Sequence, residues 1–137
     1  PGLVLQAESR GEIFVDKLIA FALRRGRIKH RDIWDIGWMV QQSVKPRMDL
    51  LTLKLDDHGS GVDAFLPAFD ERVASLSNPE MASGFRDEMQ RFLPSAFVAR
   101  TVDDPHFWTW MIGVMSEQRV GVRNTLTGAA DPAAFPM

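Results

Sequence analysis

The chain has 137 residues, of which 45% are hydrophobic and 25% are charged, as expected for one globular domain. Its formal net charge of −2 excludes a chain that attracts nucleic acid through its overall charge, so any such binding has to be local. The absence of cysteine excludes disulfides and thiolate metal sites, and the apolar runs are too short to cross a membrane, so we expect a cytoplasmic protein.

The first predicted element is a short strand at residues 3–7, LVLQA. A single strand is not stable alone, so we expect residues 1–8 to pair with a segment that precedes this sequence. Because the sequence opens with Pro1 rather than Met, we expect it to be the C-terminal part of a longer protein.

The first predicted helix starts behind Ser9 and Glu12, which have the spacing of a capping box. It extends to about Arg25, and Gly26 is a plausible C-cap. A second helix is predicted over residues 31–43, before Pro46.

Apolar residues at helical spacing continue through the rest of the chain. They predict four further helices within segments 47–59, 61–76, 79–93 and 105–122. Two of these helices begin with start signals, Asn78-Pro79 and Asp104-Pro105. We interpret the Met and Phe stripes and the four Trp residues as core. The predicted fold is one all-α domain, 1–137, with about six helices, a preceding strand and a loose tail at 126–137.

One cation interrupts the apolar face of the first helix. On a helical wheel, Ile13, Lys17 and Phe21 fall within an arc of about 80°, and Arg24 lies inside the same arc. A buried ammonium without a partner is costly, so Lys17 requires an anion.

The second helix supplies candidate anions, because Asp32 and Asp35 share one of its faces. Two antiparallel helices joined by a short loop would bring Asp32 opposite Lys17. Two interpretations remain open: an ion pair that locks the helices together, or a phosphate-handling site in which lysine binds phosphate and aspartate binds a metal or accepts a proton.

A basic stretch, RRGRIKHR, connects the two helices. Its cations are Arg24, Arg25, Arg27, Lys29 and Arg31. A charge run of this kind is usually a solvated loop, but beside Lys17 it could also grip a triphosphate or an RNA backbone. The three histidines lack metal-ligand spacing, and no P-loop or GxGxxG motif is present.

The stretch AESRGEIFVDKLIAFALRRGRIKHRDIWDIGWM resembles the C-terminal half of the AbiEii/AbiGii-type nucleotidyltransferase toxins. The family pattern is a glutamate-led helix, E-I-x-x-x-K-L-x-A, then a basic turn and R-D-[apolar]-x-D-[apolar]. The matching residues are Glu12, Ile13, Lys17, Leu18, Ala20, Arg31, Asp32, Ile33, Asp35 and Ile36. The match covers about a quarter of the chain and includes both halves of the pattern with their spacing.

The resemblance implies transfer of a nucleoside monophosphate from an NTP to an acceptor such as tRNA. It implies that Lys17 holds the triphosphate and that Asp32 acts in the same pocket as a base or as the orienter of the lysine. Arg24 and Arg31 are the further candidates for phosphate binding. Asp35 and Glu12 are expected to have structural roles.

The sequence departs from the family in one respect, because no Gly-Ser followed by Asp-x-Asp precedes Lys17. In the family that element binds the metal. The resemblance therefore implies an NTP substrate and magnesium in the longer parent, with no metal site in this chain, which we expect to be inactive alone. The partners it implies are RNA, a cognate antitoxin and the N-terminal half of the parent.

The alternative is a non-enzymatic helical module that binds a protein partner, with the strand and the tail as points of attachment. A third interpretation is an RNA-binding module that uses residues 24–31, which would show a steep dependence of affinity on salt.

Overall fold

The computed structural model describes residues 9–128, and this part of the chain is entirely helical. It contains seven α-helices and one 3₁₀ turn, Met48–Leu50. The α-helices are α1 Arg10–Leu23, α2 His30–Gln41, α3 Leu51–Asp57, α4 Val62–Ser75, α5 Pro79–Phe92, α6 Ser95–Arg100 and α7 Phe107–Thr127. The all-α prediction is confirmed, whereas the strand predicted at residues 3–7 and residues 129–137 of the predicted tail lie outside the described residues.

Helix α1 begins where the capping-box spacing predicts. The Oγ of Ser9 accepts a hydrogen bond from the backbone N–H of Glu12 at 3.2 Å, which satisfies one free donor of the first turn. The helix ends at Leu23, two residues earlier than predicted, and Arg24 has extended backbone. Gly26 follows in the loop with φ of +82°, a conformation that favours glycine.

The core surrounds α1, which packs against α2 on one side and α4 on another, while α7 packs against α4 and α2. The largest fully buried side chains are Phe14, Leu18, Phe21, Ile33, Ile36, Leu51, Leu55, Phe65, Phe69, Leu76, Phe85 and Met89. This apolar set explains why the helices associate, since burial of such area is the main favourable contribution to folding. None of the helices in residues 9–128 has the length and apolar content that a membrane span requires.

Helices α6 and α7 differ most from the sequence prediction. Helix α6, at Ser95–Arg100, was not predicted, because six residues are too few for a helical period to stand out. Helix α7 starts at Phe107 rather than directly after Asp104-Pro105, because the side chain of Asp104 accepts a bond from the N–H of His106 at 2.8 Å within a turn. It then continues to Thr127, so residues 126 and 127 of the predicted tail are helical.

The assignment of every Met, Phe and Trp stripe to the core was wrong at three positions. Phe92, Trp38 and Trp110 are 53%, 45% and 36% exposed. By contrast, Trp34 and Trp108 pack against the core, and the indole N–H of Trp108 donates to the carbonyl of Leu76 at 3.0 Å. Helical spacing places a residue on a face but does not determine where a neighbouring helix ends, and so does not decide whether that face is covered.

Candidate functional site

A cluster of four charged side chains lies where α1 meets α2. At its centre is Asp32, which is 0% exposed and is the one buried charged residue in the described part of the chain. Arg24 Nε donates to Asp32 Oδ2 at 2.5 Å, and Arg24 Nη2 donates to Oδ1 at 3.2 Å. Lys17 Nζ donates to the same Oδ1 at 3.4 Å. The predicted juxtaposition of Lys17 and Asp32 is therefore present, and both carboxylate oxygens have cationic partners.

Asp35 completes the cluster one helical turn after Asp32. Its Oδ2 lies 2.8 Å from Lys17 Nζ, a closer approach than the one Lys17 makes to Asp32. The side chains of Lys17 and Asp35 are each about a third exposed, at 30% and 37%. The two cations and two anions of the cluster sum to zero charge. Lys17, Arg24 and Asp35 are partly exposed to water, whereas Asp32 is buried.

The electrostatics of the cluster follow from this arrangement. Burial on its own lowers the pKa of Lys17, but the hydrogen bond and charge of Asp35, followed by those of Asp32, outweigh it and raise the pKa above its ordinary value. The hydrogen bond from Arg24 to Asp32 is the main reason that the pKa of Arg24 is raised. Both side chains are therefore held as cations.

Local helix structure positions the aspartate. Asp32 occupies the first turn of α2, where the helix dipole and free backbone N–H groups favour a negative charge. Arg24 lies at the other end of the connection, directly after α1. A short loop between the two helix ends therefore suffices to bring the guanidinium onto the carboxylate.

Arg72, on α4, holds the C-terminal end of α1 in place and was missed by the sequence analysis. Its guanidinium donates to the carbonyl oxygens of Phe21 at 2.7 Å and Arg24 at 2.6 Å. These are carbonyls that a helix end leaves without an internal partner, and a cation is favoured there. An arginine near the end of an amphipathic helix gives no sequence signal for this role, because its partners are backbone atoms 51 and 48 residues away.

Two of the predicted residues lie outside the cluster. Arg31 is exposed, with its guanidinium 4.8 Å from the centre of the Phe92 ring. Glu12 takes part in the N-terminal cap of α1 and lies 3.9 Å from Lys54 Nζ. The structure thus brings together Lys17, Arg24, Asp32 and Asp35, and places Arg31 and Glu12 elsewhere.

In residues 9–128 no group of three or more His, Asp or Glu side chains converges in a way that could hold a metal ion. Asp32 itself is surrounded by cationic donors, which is the opposite of the environment that a divalent cation requires. The described residues do not fit a magnesium site.

Comparison with known families identifies the chain. The family model described as "Nucleotidyl transferase AbiEii toxin, Type IV TA system" matches residues 1–111, which include the whole cluster. The chain belongs to the AbiEii family. The prediction of this family from the Lys17 helix and the R-D-x-x-D pattern is confirmed. No curated protein and no solved structure gives a significant match to this AbiEii chain.

Proposed function

We propose that this AbiEii chain contributes the nucleotide-handling helices of a toxin that transfers a nucleoside monophosphate from an NTP to an RNA acceptor such as tRNA. The observation that carries the proposal is the fully buried carboxylate of Asp32, held by Lys17 and Arg24 at the α1–α2 junction. Family membership supports nucleotidyl transfer as the reaction class.

Lys17 is the proposed ligand of the triphosphate. Its ammonium is held as a cation and is partly exposed, so it can meet a phosphate oxygen without leaving the helix interface. The side chain of Asp35 occupies that position at 2.8 Å, and it is exposed enough to give way to a more highly charged anion.

Asp32 is the proposed positioning residue. Both of its oxygens already accept bonds from cations, which favours the orientation of Lys17 and Arg24 over acceptance of a proton from substrate. Arg24 would then add a second positive charge beside the triphosphate.

In the proposed reaction, a hydroxyl oxygen of the acceptor forms a bond to the α-phosphorus of the NTP, and the bond to the leaving pyrophosphate breaks. The residues described here would bind and orient the triphosphate. We propose that magnesium is held by an element of the parent protein outside the described residues, and that this chain alone is inactive. The proposed partners are that N-terminal part and a cognate antitoxin.

The test uses the full-length parent with labelled NTPs, magnesium and bulk tRNA. We expect Lys17→Ala and Asp32→Ala to reduce label transfer at least about 100-fold, because the first removes a cation from the triphosphate and the second removes the carboxylate that orients Lys17 and Arg24. Lys45→Ala, which removes an exposed lysine outside the cluster, is the matched control and is expected to retain full transfer. Thermal unfolding of each variant establishes that it is folded.

The second candidate function is a non-enzymatic module in which the cluster only clamps α1 to α2. The zero net charge of the cluster favours it, since each cation already has a carboxylate partner. If the parent transfers label and the Lys17 and Asp32 variants do so equally well, the cluster is a clamp. If the parent transfers nothing, the module that binds a protein partner becomes the better account of the chain.

A further inference from the structure

A cleft of about 330 Å³ opens between α2, α6 and α7, away from the charged cluster. Five aromatic side chains line it: Trp34, Trp38, Phe97, Phe107 and Trp110. On a helical wheel, Trp34 lies about 200° from Asp32, so the cleft and the cluster occupy opposite faces of α2. The cleft is therefore a separate feature, and nothing in the proposed function uses it.

Four of the aromatic rings of the cleft are in contact with one another, and one pair of them is stacked. Trp34 and Phe107 lie nearly parallel, 27° apart with ring centres separated by 6.3 Å, and Trp110 follows at 5.9 Å from Phe107. Phe97 meets Trp34 edge-on at 6.0 Å. The two outer rings, Trp38 and Trp110, are among the most exposed large apolar side chains of residues 9–128. The guanidinium of Arg10 lies 5.9 Å from the centre of the Trp38 ring, so one face of that ring is covered and the remaining aromatic surface borders the opening.

Polar groups surround these rings and offer both donors and acceptors. The amide of Gln41, the hydroxyl of Thr101 and the carboxylate of Asp104 all line the cleft. The Thr101 hydroxyl already donates to the carbonyl of Phe97, so it can only accept a further bond, and one oxygen of Asp104 already accepts from the N–H of His106. Arg100 lies at the same rim, its guanidinium 5.8 Å from the centre of the Phe97 ring, and it makes no ion pair with any residue between 9 and 128. A site with flat aromatic walls, a mixed hydrogen-bonding edge and one available cation suits a planar, polar ring that carries a negative charge.

We propose that this cleft binds a nucleobase with its attached phosphate, stacked against Trp110 and Trp38, with Arg100 at the phosphate. The volume is at the lower end of the range of about 300–1,000 Å³ that small-ligand pockets occupy, which suits a single nucleotide unit. Aromatic stacking accepts any base, and the cation accounts for the phosphate. An apolar peptide side chain would leave the polar rim without partners. The same chemistry is presented by a free mononucleotide and by one unit of single-stranded RNA.

The test is a titration of the full chain, labelled with nitrogen-15, in which the four tryptophan indole N–H signals are followed by NMR. We expect AMP to shift the signals of Trp34, Trp38 and Trp110, and to leave Trp108, which does not line the cleft, unchanged. Ribose 5-phosphate, which lacks the base, should shift none of them. If it shifts the cleft signals as AMP does, or if AMP and hexaadenylate both shift none, the proposal is overturned.

Substitutions give an independent check. Trp110→Ala should weaken AMP binding about tenfold through loss of stacking. Phe92→Ala, which removes an exposed aromatic residue outside the cleft, should leave it unchanged. Arg100→Ala should weaken binding of AMP but not of adenosine, and equal losses for both ligands would contradict the phosphate contact.

The two ligands distinguish the possible occupants of the cleft. Saturable binding of AMP identifies a mononucleotide site, whereas a cleft that binds hexaadenylate but not AMP identifies a site for an RNA strand. These measurements do not involve Lys17, Asp32 or label transfer. They therefore test the proposal about the cleft independently of the proposed function.

Discussion

At the scale of single residues, the buried carboxylate of Asp32 is the feature that the remainder of the site depends on. It is fully buried, yet its partners Lys17 and Arg24 both reach solvent. A buried charge is tolerated only when it is paired and hydrogen-bonded, and here three donor atoms meet two oxygens. Lys17 and Arg24 can turn towards water, whereas the carboxylate of Asp32 cannot, so the bonds that these cations donate to Asp32 should contribute to the stability of the fold.

Asp32→Asn tests the contribution of these bonds to stability. The amide keeps the shape of the side chain but places an NH₂ group among cationic donors, so we expect the free energy of unfolding to fall by about 1–3 kcal/mol in urea denaturation. Asp49→Asn removes a carboxylate that pairs with Arg47 on the surface and should change stability little. If both variants unfold at the wild-type midpoint, the Asp32 bonds contribute nothing to stability.

His30 is a second residue with an unusual environment, at the start of α2. Its Nδ1 is buried without a hydrogen-bond partner among the described residues, and its ring meets Phe85 edge-on. Burial lowers the pKa of His30; nearby Glu88 opposes this effect, and Arg27 adds to it. The folded protein therefore holds this imidazole neutral at a pH where the unfolded chain would already be protonated.

The sign of the pH dependence follows from the lowered pKa. Below the ordinary value of about 6.5 the unfolded chain binds the proton first, so stability should fall until the pH reaches the lower, folded-state pKa. His30→Phe keeps the aromatic contact and cannot titrate. We expect the wild type to lose stability relative to His30→Phe between pH 7.5 and 5.0, as measured by urea unfolding. Parallel stability curves for the two proteins would show that His30 titrates alike in both states.

At the scale of elements, three glycines occupy three different environments. Gly26, after α1, has φ of +82°, whereas Gly113 lies inside α7 with no atom within 4 Å of the place where a Cβ would stand. Gly37 is a third case, because a Cβ there would lie 2.6 Å from Met111 Cε, at the close contact of α2 with α7. Only the first and third positions have a structural reason to be glycine.

Gly113→Ala should therefore stabilise the protein by about 0.5–1 kcal/mol, since alanine reduces the backbone entropy lost on helix formation and meets no neighbour. Gly26→Ala should destabilise it, because the alanine would have to adopt the left-handed conformation. Thermal and urea unfolding of the pair measure both signs. A destabilised Gly113→Ala variant would mean that the exposed face of α7 is in fact closely packed.

At the scale of the whole molecule, exposed positive charge is concentrated in one loop although the net charge of the chain is negative. The formal net charge is −2, but Arg25, Arg27 and Lys29 are exposed together in the α1–α2 loop. Arg24, by contrast, is held by Asp32, and Arg31 lies over Phe92. The basic stretch thus offers three outward cations, fewer than its sequence suggests.

The number of available cations determines the expected salt dependence of RNA binding. With about three phosphates neutralised, the logarithm of the affinity for single-stranded RNA should fall with the logarithm of salt concentration at a slope of about −2. Replacement of Arg25, Arg27 and Lys29 by glutamine should flatten that slope. Arg119→Gln removes a cation of α7 that is already paired with Asp70 of α4, and it should leave the slope unchanged. A flat slope in the wild type would exclude the loop as an RNA contact.

Much of this architecture was predictable, because it depends on interactions between residues close in the chain. The cap at Ser9 and the helical periods are local signals, and the short loop made the meeting of Lys17 with Asp32 predictable as well, whereas Gly26 is not the C-cap that was predicted, because the helix already ends at Leu23. The predicted helix ends differed by one or two residues at α1 and α2, because the last turn of a helix depends on contacts outside it.

The sequence by itself therefore determined the helical class, the family and the pairing of Lys17 with Asp32, but not the closer approach of Lys17 to Asp35. Only the tertiary structure decided that Arg24 rather than Arg31 joins Asp32, that Arg72 caps α1 from α4, and that Trp38 and Trp110 open onto a cleft. The reason is physical: periodicity and capping act within one helix, whereas these contacts depend on where other helices lie and end.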